Sequence, residues 1–359
     1  MQKPSEKKNT LRRTLTFALV FIVCLGAGYL IGYLLSMKDY VSSVADDGLS
    51  SLVVFLIVMI SLIVHLFVHE AGHLVFGLLT GYRFLSFRVG SLMLMKDGDR
   101  LRLKLFSIAG TGGQCIMIPP SWREQGFPYA LYNLGGALMN VIAGALSLLL
   151  WALVPYHSFW STALLLFAML GFVNGALNAI PLRFAMVDND GSNVRMLKKD
   201  PKAVYAFYQI LNINAKAASG QRLRDLPEEW FAIPASVDRK NPLIMTIEVF
   251  AINRLMDQHL LEQAGERISA LFGSDASIPG IYNGLLKCDL AYCAMMRDDF
   301  MTAQVQLDDQ QRKFMRAMRN FPSILRTQYA EALLKNHDEK TANAILAQLE
   351  RIAKRYPHP

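Results

Sequence analysis

Residues 51–73 read SLVVFLIVMISLIVHLFVHEAGH, a long apolar run that closes on histidines and a glutamate. About twenty consecutive apolar residues are what an α-helix needs to cross the hydrocarbon core of a bilayer. A carboxylate at that depth is costly and is rarely retained without a partner or a task. Glu70 therefore needs an explanation, and so do His65, His69 and His73 on the same segment.

Working outward, comparable apolar runs occupy about Thr14–Met37, Tyr129–Val154 and Trp160–Ile180, so four membrane spans are expected, with Ser51–Leu79 the second. After Pro181 no such run recurs. Of the 359 residues, 53% are hydrophobic and 18% charged, which fits a chain divided into a membrane half and a soluble half. The first span follows the basic stretch MQKPSEKKNTLRR, but its apolar core is too long for a signal peptide and no A-x-A site ends it, so a retained anchor is expected. Lys3, Lys7, Lys8, Arg12 and Arg13 precede it, whereas the next loop sets Lys38 against Asp39, Asp46 and Asp47. Residues 80–128 are again rich in Lys and Arg, and 155–159 carry none. The positive-inside rule then puts both termini in the cytoplasm of a multi-pass protein of the cell membrane. These flanks account for most of the formal charge of +8, so nucleic acid is not an expected partner. Cys24, Cys115, Cys288 and Cys293 form no C-x-x-C and read as reduced residues.

His69-Glu70-Ala71-Gly72-His73 fits H-E-x-x-H. On a helix, positions i and i+4 share a face, so both imidazoles can reach one ion. Neutral imidazole suits Zn²⁺, and the intervening glutamate is placed to act as a base toward a water at the metal. A third protein ligand is required. Asp190 and Asp188, near the exit of the fourth span, are both carboxylate candidates; Asp190-Gly191 by itself reads as a turn. His65 is not a good third ligand, because it stands roughly 12 Å from His73 along a helix axis; a neighbouring or solvent-channel histidine is the better reading. Asn140 lies on one face with Gly136 and Gly144, and Asn174 and Asn178 share a face beside Gly171 and Gly175. These stripes fit either small-residue helix packing or amides that line a site and touch substrate.

The order of these elements resembles the site-2 protease family of intramembrane zinc metalloproteases. HEAGH is similar to its first motif. Asn178-Ala-Ile-Pro181 followed by Asp190-Gly191 resembles its Asn-x-x-Pro and Asp-Gly motif, in the manner of a bacterial subgroup with an extended spacing. The glycine-rich stretch Leu134–Asn140 resembles a third element. The resemblance covers residues 51 to about 195. It implies zinc held by His69, His73 and Asp190, Glu70 as general base, and Asn140 and Asn178 as catalytic groups that position substrate or stabilise the oxyanion. It also implies a transmembrane or membrane-associated peptide substrate in contact with lipid. A rival of another class is a non-catalytic membrane scaffold with a structural metal site and a peptide-binding helical domain; an intact Glu70 speaks against it, since a structural site needs no base.

Between the second and third spans, Asp97-Gly98 is a hairpin signal and Arg100–Leu105 alternates basic and apolar residues. A small hairpin or sheet at the cytoplasmic membrane surface is expected within 81–128, with an edge suited to an extended peptide. From 192 onward the pattern is helical. An echo at an offset of 39 pairs Ala291 with Ala330, Asp299 with Asp338, Ala303 with Ala342 and Leu307 with Leu346, which weakly resembles tetratricopeptide-type helix pairs over 281–356. The expected fold class is thus mainly α: a polytopic membrane protein of about four transmembrane helices, a small β element and a C-terminal helical domain. Its segments are a basic tail (1–13), a transmembrane metalloprotease domain (14–191) and a cytoplasmic helical domain (192–359).

Overall fold

The computed structural model describes residues 48–97, 100–105, 112–124, 126–155, 158–182, 188–233, 237–353 and 356. The expected basic tail (1–13) and first span (14–37) lie outside them. The described chain is mainly helical with one small antiparallel sheet. Its described residues divide into two compact units, those within 48–80, 130–182 and 189–194 in the first and those within 81–129, 188 and 195–356 in the second.

The first unit contains α1 (Gly48–Leu79), α2 (Ala130–Leu153) and α3 (Phe159–Ala179), followed by the start of α4 (Asp190–Lys199). Leu52–Leu79, α2 and α3 are each long and apolar enough to cross a membrane. Their boundaries fall within a few residues of the second, third and fourth runs read from the sequence. Ser158 caps α3 by accepting from Ser161 N–H, and Pro181, which cannot continue a helix, follows its end. The distribution of side chains is inverted relative to a water-soluble bundle. Phe55, Ile60, Ile63, Leu146, Leu149 and Trp160 are exposed, while Ser61, His65, Glu70, Asn133, Asn140 and Ser147 are buried. Lipid tails are as apolar as leucine, so such helices hide polar groups and small-residue seams rather than aliphatic side chains. Gly72 and Gly135 meet at the α1–α2 crossing, where a Cβ on Gly72 would lie 2.2 Å from Gly135 O.

The second unit opens with β1 (Arg83–Val89), β2 (Leu92–Asp97), β3 (Arg100–Leu105) and β4 (Gly113–Ile118), in sheet order β3-β2-β1-β4. The expected hairpin is present as the β2–β3 pair, with Asp97 opposite Arg100 and Leu92 opposite Leu105. The sheet is larger than a hairpin because β4 returns beside β1, Arg83 opposite Ile118. The alternation of β3 does not bury its leucines: Leu101, Leu103 and Leu105 stay exposed on the edge strand, whereas Met93 and Met95 of β2 are buried on the other face. Leu85 and Ile116 pack on Ala215 and Ala218 of α5 (Pro201–Ala218), whose first turn is capped by Asp200.

The remaining helices are α6 (Pro242–Asp257), α7 (Leu261–Phe272), α8 (Gly280–Met295), α9 (Phe300–Gln306), α10 (Asp309–Ala317), α11 (Pro322–Ala330, continued by a π-turn over Glu331–Lys335) and α12 (Glu339–Ala353). Three helical hairpins, α6–α7, α8–α9 and α11–α12, repeat every 39 residues. Their turns use a left-handed residue at matching places, His259, Asp298 and His337, with φ of 62°, 60° and 53°. Buried positions match as well: Ile252, Ala291 and Ala330 in the leading helices, and Ala264, Ala303 and Ala342 in the returning ones. The sequence echo captured the second and third copies and missed the first.

Candidate metal centre

α1 carries His69 and His73 one turn apart, and their Nε2 atoms stand 3.1 Å from each other. Neighbouring helices orient both rings. His73 Nδ1 lies 2.7 Å from Tyr132 O of α2. A carbonyl can only accept, so Nδ1 carries the hydrogen and the neutral ring turns an Nε2 lone pair toward His69. The His69 ring lies over Gly136, where a Cβ would come within 2.5 Å of ring atoms. The expected Gly136–Asn140–Gly144 stripe is therefore a packing seam at its glycines and a polar contact at Asn140.

Asp190 is the first residue of α4, and Asn189 places it there. Asn189 Oδ1 accepts from Leu182 N–H and Ser192 N–H, both at 3.0 Å, and its Nδ2 donates to Leu177 O and Ile180 O at 2.7 and 2.6 Å. One buried amide thus caps α4 and ties it to the end of α3. Gly191 was expected to supply a sharp turn; its structural role is close approach. It sits inside the helix, and a Cβ there would lie 2.0 Å from Ala179 O. With α4 held this close, Asp190 Oδ2 stands 3.1 Å from His69 Nε2 and 3.5 Å from His73 Nε2.

His69, His73 and Asp190 are a group able to hold a metal ion. Bonds of about 2.0–2.1 Å in a tetrahedral site separate ligand atoms by roughly 3.3 Å, and the three observed separations bracket that value. Asp190 Oδ2 is buried without a well-formed hydrogen bond even though both imidazoles are at ion-pair distance. Two ring nitrogens and a carboxylate oxygen converge here, an electron-rich cluster that a cation relieves. The donor set, two imidazoles and one carboxylate, fits zinc with a position left for water.

The other expected site residues take different places. Glu70 is buried immediately after His69 on α1. Asn140 reaches both His65 and His69, its Oδ1 being 3.2 Å from His65 Nδ1 and its Nδ2 3.4 Å from His69 Nδ1. Asn178 donates to Asn174 O at 3.0 Å, and Asn174 to Leu170 O at 2.8 Å, so both amides bond back to the preceding turn of α3. His65 is not part of the ligand group. Neither is Asp188. Asn189 was not anticipated, although Asn before Asp at the start of a helical pattern is a capping signal.

Compared with protein-family models, curated proteins and solved structures, the chain finds no match.

Proposed function

We propose that the chain is an intramembrane zinc metalloprotease that hydrolyses peptide bonds in or near the bilayer. The observation that carries this reading is the convergence of Asp190, at the start of α4, with His69 and His73 of a helix apolar enough to cross a membrane, with a buried carboxylate, Glu70, next to the first ligand. His69 Nε2, His73 Nε2 and Asp190 Oδ2 would hold the ion. A bound zinc supplies acidification of water and polarisation of the scissile carbonyl. Glu70 takes a proton from the attacking water as the new C–O bond forms and returns it to the departing amine as the C–N bond then breaks, so no net proton is consumed. The low-dielectric surroundings of a span strengthen each of these charge interactions.

The finer assignments belong to the same proposal. The protein sits in the cell membrane with four spans and both termini cytoplasmic, as the lysine and arginine asymmetry argues. Its substrate is a transmembrane or membrane-associated peptide. The 39-residue hairpins act as a tetratricopeptide-like surface that selects or gates that substrate, supported by their regular repetition.

The test is Glu70→Gln in purified protein with a single-span peptide substrate. Cleavage should fall on the order of 10²–10⁴-fold while one zinc per chain remains bound. Cleavage near the wild-type rate would remove Glu70 as base. Wild-type protein that holds zinc and cleaves no membrane peptide would favour the scaffold instead.

A further inference from the structure

The ligand triad leaves unexplained a second buried histidine, on the turn of α1 before His69. His65 is 1% exposed and stacks on Phe167 with ring centroids 4.1 Å apart. Its Nε2 lies 2.8 Å from Phe167 O. Because a carbonyl only accepts, Nε2 must carry a hydrogen, and the Nδ1 of the neutral ring is then an acceptor. That acceptor faces Asn140, whose other amide end faces His69.

The amide can lie in two ways. With Oδ1 toward His65, His65 must donate from both nitrogens and carry a charge within a span, and His69 must accept at Nδ1. His69 would then hold its proton on Nε2, the atom that faces His73 and Asp190. A half-turn of the amide exchanges an oxygen for a nitrogen of nearly the same size. Asn140 Nδ2 then donates to His65 Nδ1, and Oδ1 accepts from His69 Nδ1–H. His69 Nε2 is left with its lone pair directed at the metal position, both ends of the amide and both nitrogens of His65 are satisfied, and His65 carries no charge.

We propose that His65 and Asn140 are positioning residues for His69: His65, anchored on Phe167 O, orients the Asn140 amide, and the amide oxygen holds His69 in its Nε2-ligating tautomer. This rests on the metal-centre reading above. The packing leaves room for the His65 ring, since a Cβ on Gly171 would fall 2.8 Å from His65 Cε1 and 2.7 Å from the backbone carbonyl oxygen of Asn140. It also gives the two ligands matched support. Tyr132 O holds the Nδ1–H of His73, and with the amide turned Asn140 Oδ1 takes the place 3.4 Å from His69 Nδ1 and holds that of His69. Hydrogen-bond partners of this kind orient ligating histidines, and their loss typically costs about 10–100-fold in metal affinity.

The experiment measures zinc affinity by chelator competition and the absorption of Co²⁺-substituted full-length protein. Asn140→Leu removes the acceptor and should weaken zinc by about 10–100-fold and shift the Co²⁺ bands. Asn140→Asp keeps an oxygen toward His69 and should retain most of the affinity. His65→Phe frees the amide to turn and should weaken binding several-fold, whereas the double variant His65→Phe/Asn140→Leu should bind no more weakly than Asn140→Leu, because His65 acts through Asn140. Unchanged affinity and spectrum in Asn140→Leu, equal losses in the Leu and Asp variants, or additive losses in the double variant would overturn the relay. Nitrogen-15 shifts of the histidine rings give a readout independent of zinc: His69 should show Nδ1–H in the wild type and lose that preference in Asn140→Leu. Should the wild type bind no metal, the protease reading fails, and the ring shifts still decide the relay.

Discussion

In the three-helix unit the residues hidden from the surface include Ser61, His65, Glu70, Asn133 and Asn140; in the 39-residue hairpins they are Ile252, Ala264, Ile268, Ala291 and Leu307. The hairpins follow the rule for water, in which apolar area is driven inward. The three helices invert it, the pattern expected in lipid, which does not drive leucines together and leaves polar groups to find partners inside. The contacts differ in kind as well. Gly72 and Gly135 bring backbone against backbone, whereas the repeats bury alanines at matching places, Ala264, Ala303 and Ala342. Ion pairs differ likewise: Arg267 grips Glu248, and Arg312 grips Glu331, each through two hydrogen bonds and each with its arginine partly exposed. In the three-helix unit the one carboxylate of the ligand group faces imidazoles instead, which is what leaves a place for a metal.

The largest effect should come from emptying that place. Asp190→Ala removes one of three ligands and should lower zinc affinity by more than the roughly 10–100-fold expected for a partner behind a ligand, together with activity. Asp188→Ala should leave the metal bound. Metal analysis of the two purified variants decides it, and the reverse order of losses would put the third corner of the site elsewhere.

How much of this was legible depends on whether the information is local. His69, Glu70 and His73 are read from spacing alone, because helix geometry fixes which residues share a face. Asp190 required the resemblance, since nothing local separates it from Asp188. What brings Asp190 beside the two histidines, Asn189, is tertiary: its amide joins Leu177, Ile180, Leu182 and Ser192, contacts that exist only once α3 and α4 meet. Gly191 was recognised and misread for the same reason; its demand comes from Ala179 O and not from its own φ. Turn chemistry gave away the β2–β3 hairpin, while the β1–β4 pairing spans too much chain for any local signal. In the repeats, Asp299 and Asp338 marked two turns, and the first copy was invisible because Leu260 stands where they have aspartate.

Glycines offer a direct way to break the comparison. Gly72→Ala puts a methyl 2.2 Å from Gly135 O and 2.7 Å from Met139 Cβ, so α1 and α2 must separate. The expected cost is about 1–3 kcal/mol, with loosened metal binding because His69 and His73 flank the contact. Gly265→Ala in α7 meets nothing closer than Cys293 Cβ at 3.4 Å, an ordinary contact. There the lost backbone freedom of the unfolded chain should dominate, giving a gain of roughly 0.5–1 kcal/mol. Thermal unfolding in detergent measures both. Two changes of the same sign would show that glycine plays one role throughout.

The smallest predicted effect tests whether the 39-residue hairpins are equivalent in detail. Asp299 precedes α9 with φ −85° and ψ 73°, and its side chain accepts from Thr302 N–H at 3.0 Å. Asp338 does the same for Thr341 before α12. Leu260 occupies the matching place before α7 with nearly the same backbone, φ −82° and ψ 62°, but offers no cap. It is 41% exposed, so little burial is lost by replacing it. Leu260→Asp should let the introduced carboxylate accept from Gln263 N–H and face the positive end of the helix, raising the unfolding midpoint by roughly 1–3 °C. The pH dependence has a definite sign. Hydrogen bonds from Thr302 and Thr341 hold Asp299 and Asp338 below the usual carboxylate range. A cap of that kind contributes above the unfolded-state pKa and loses its contribution as pH falls through the lowered folded-state value. The gain from Leu260→Asp should therefore be present at neutral pH and vanish in acid, with the Gln263 amide slowed in hydrogen exchange only while the gain lasts. A midpoint that falls at neutral pH, or a Gln263 amide that exchanges as fast as in the wild type, would mean that the first hairpin shares the period of the others but not their turn.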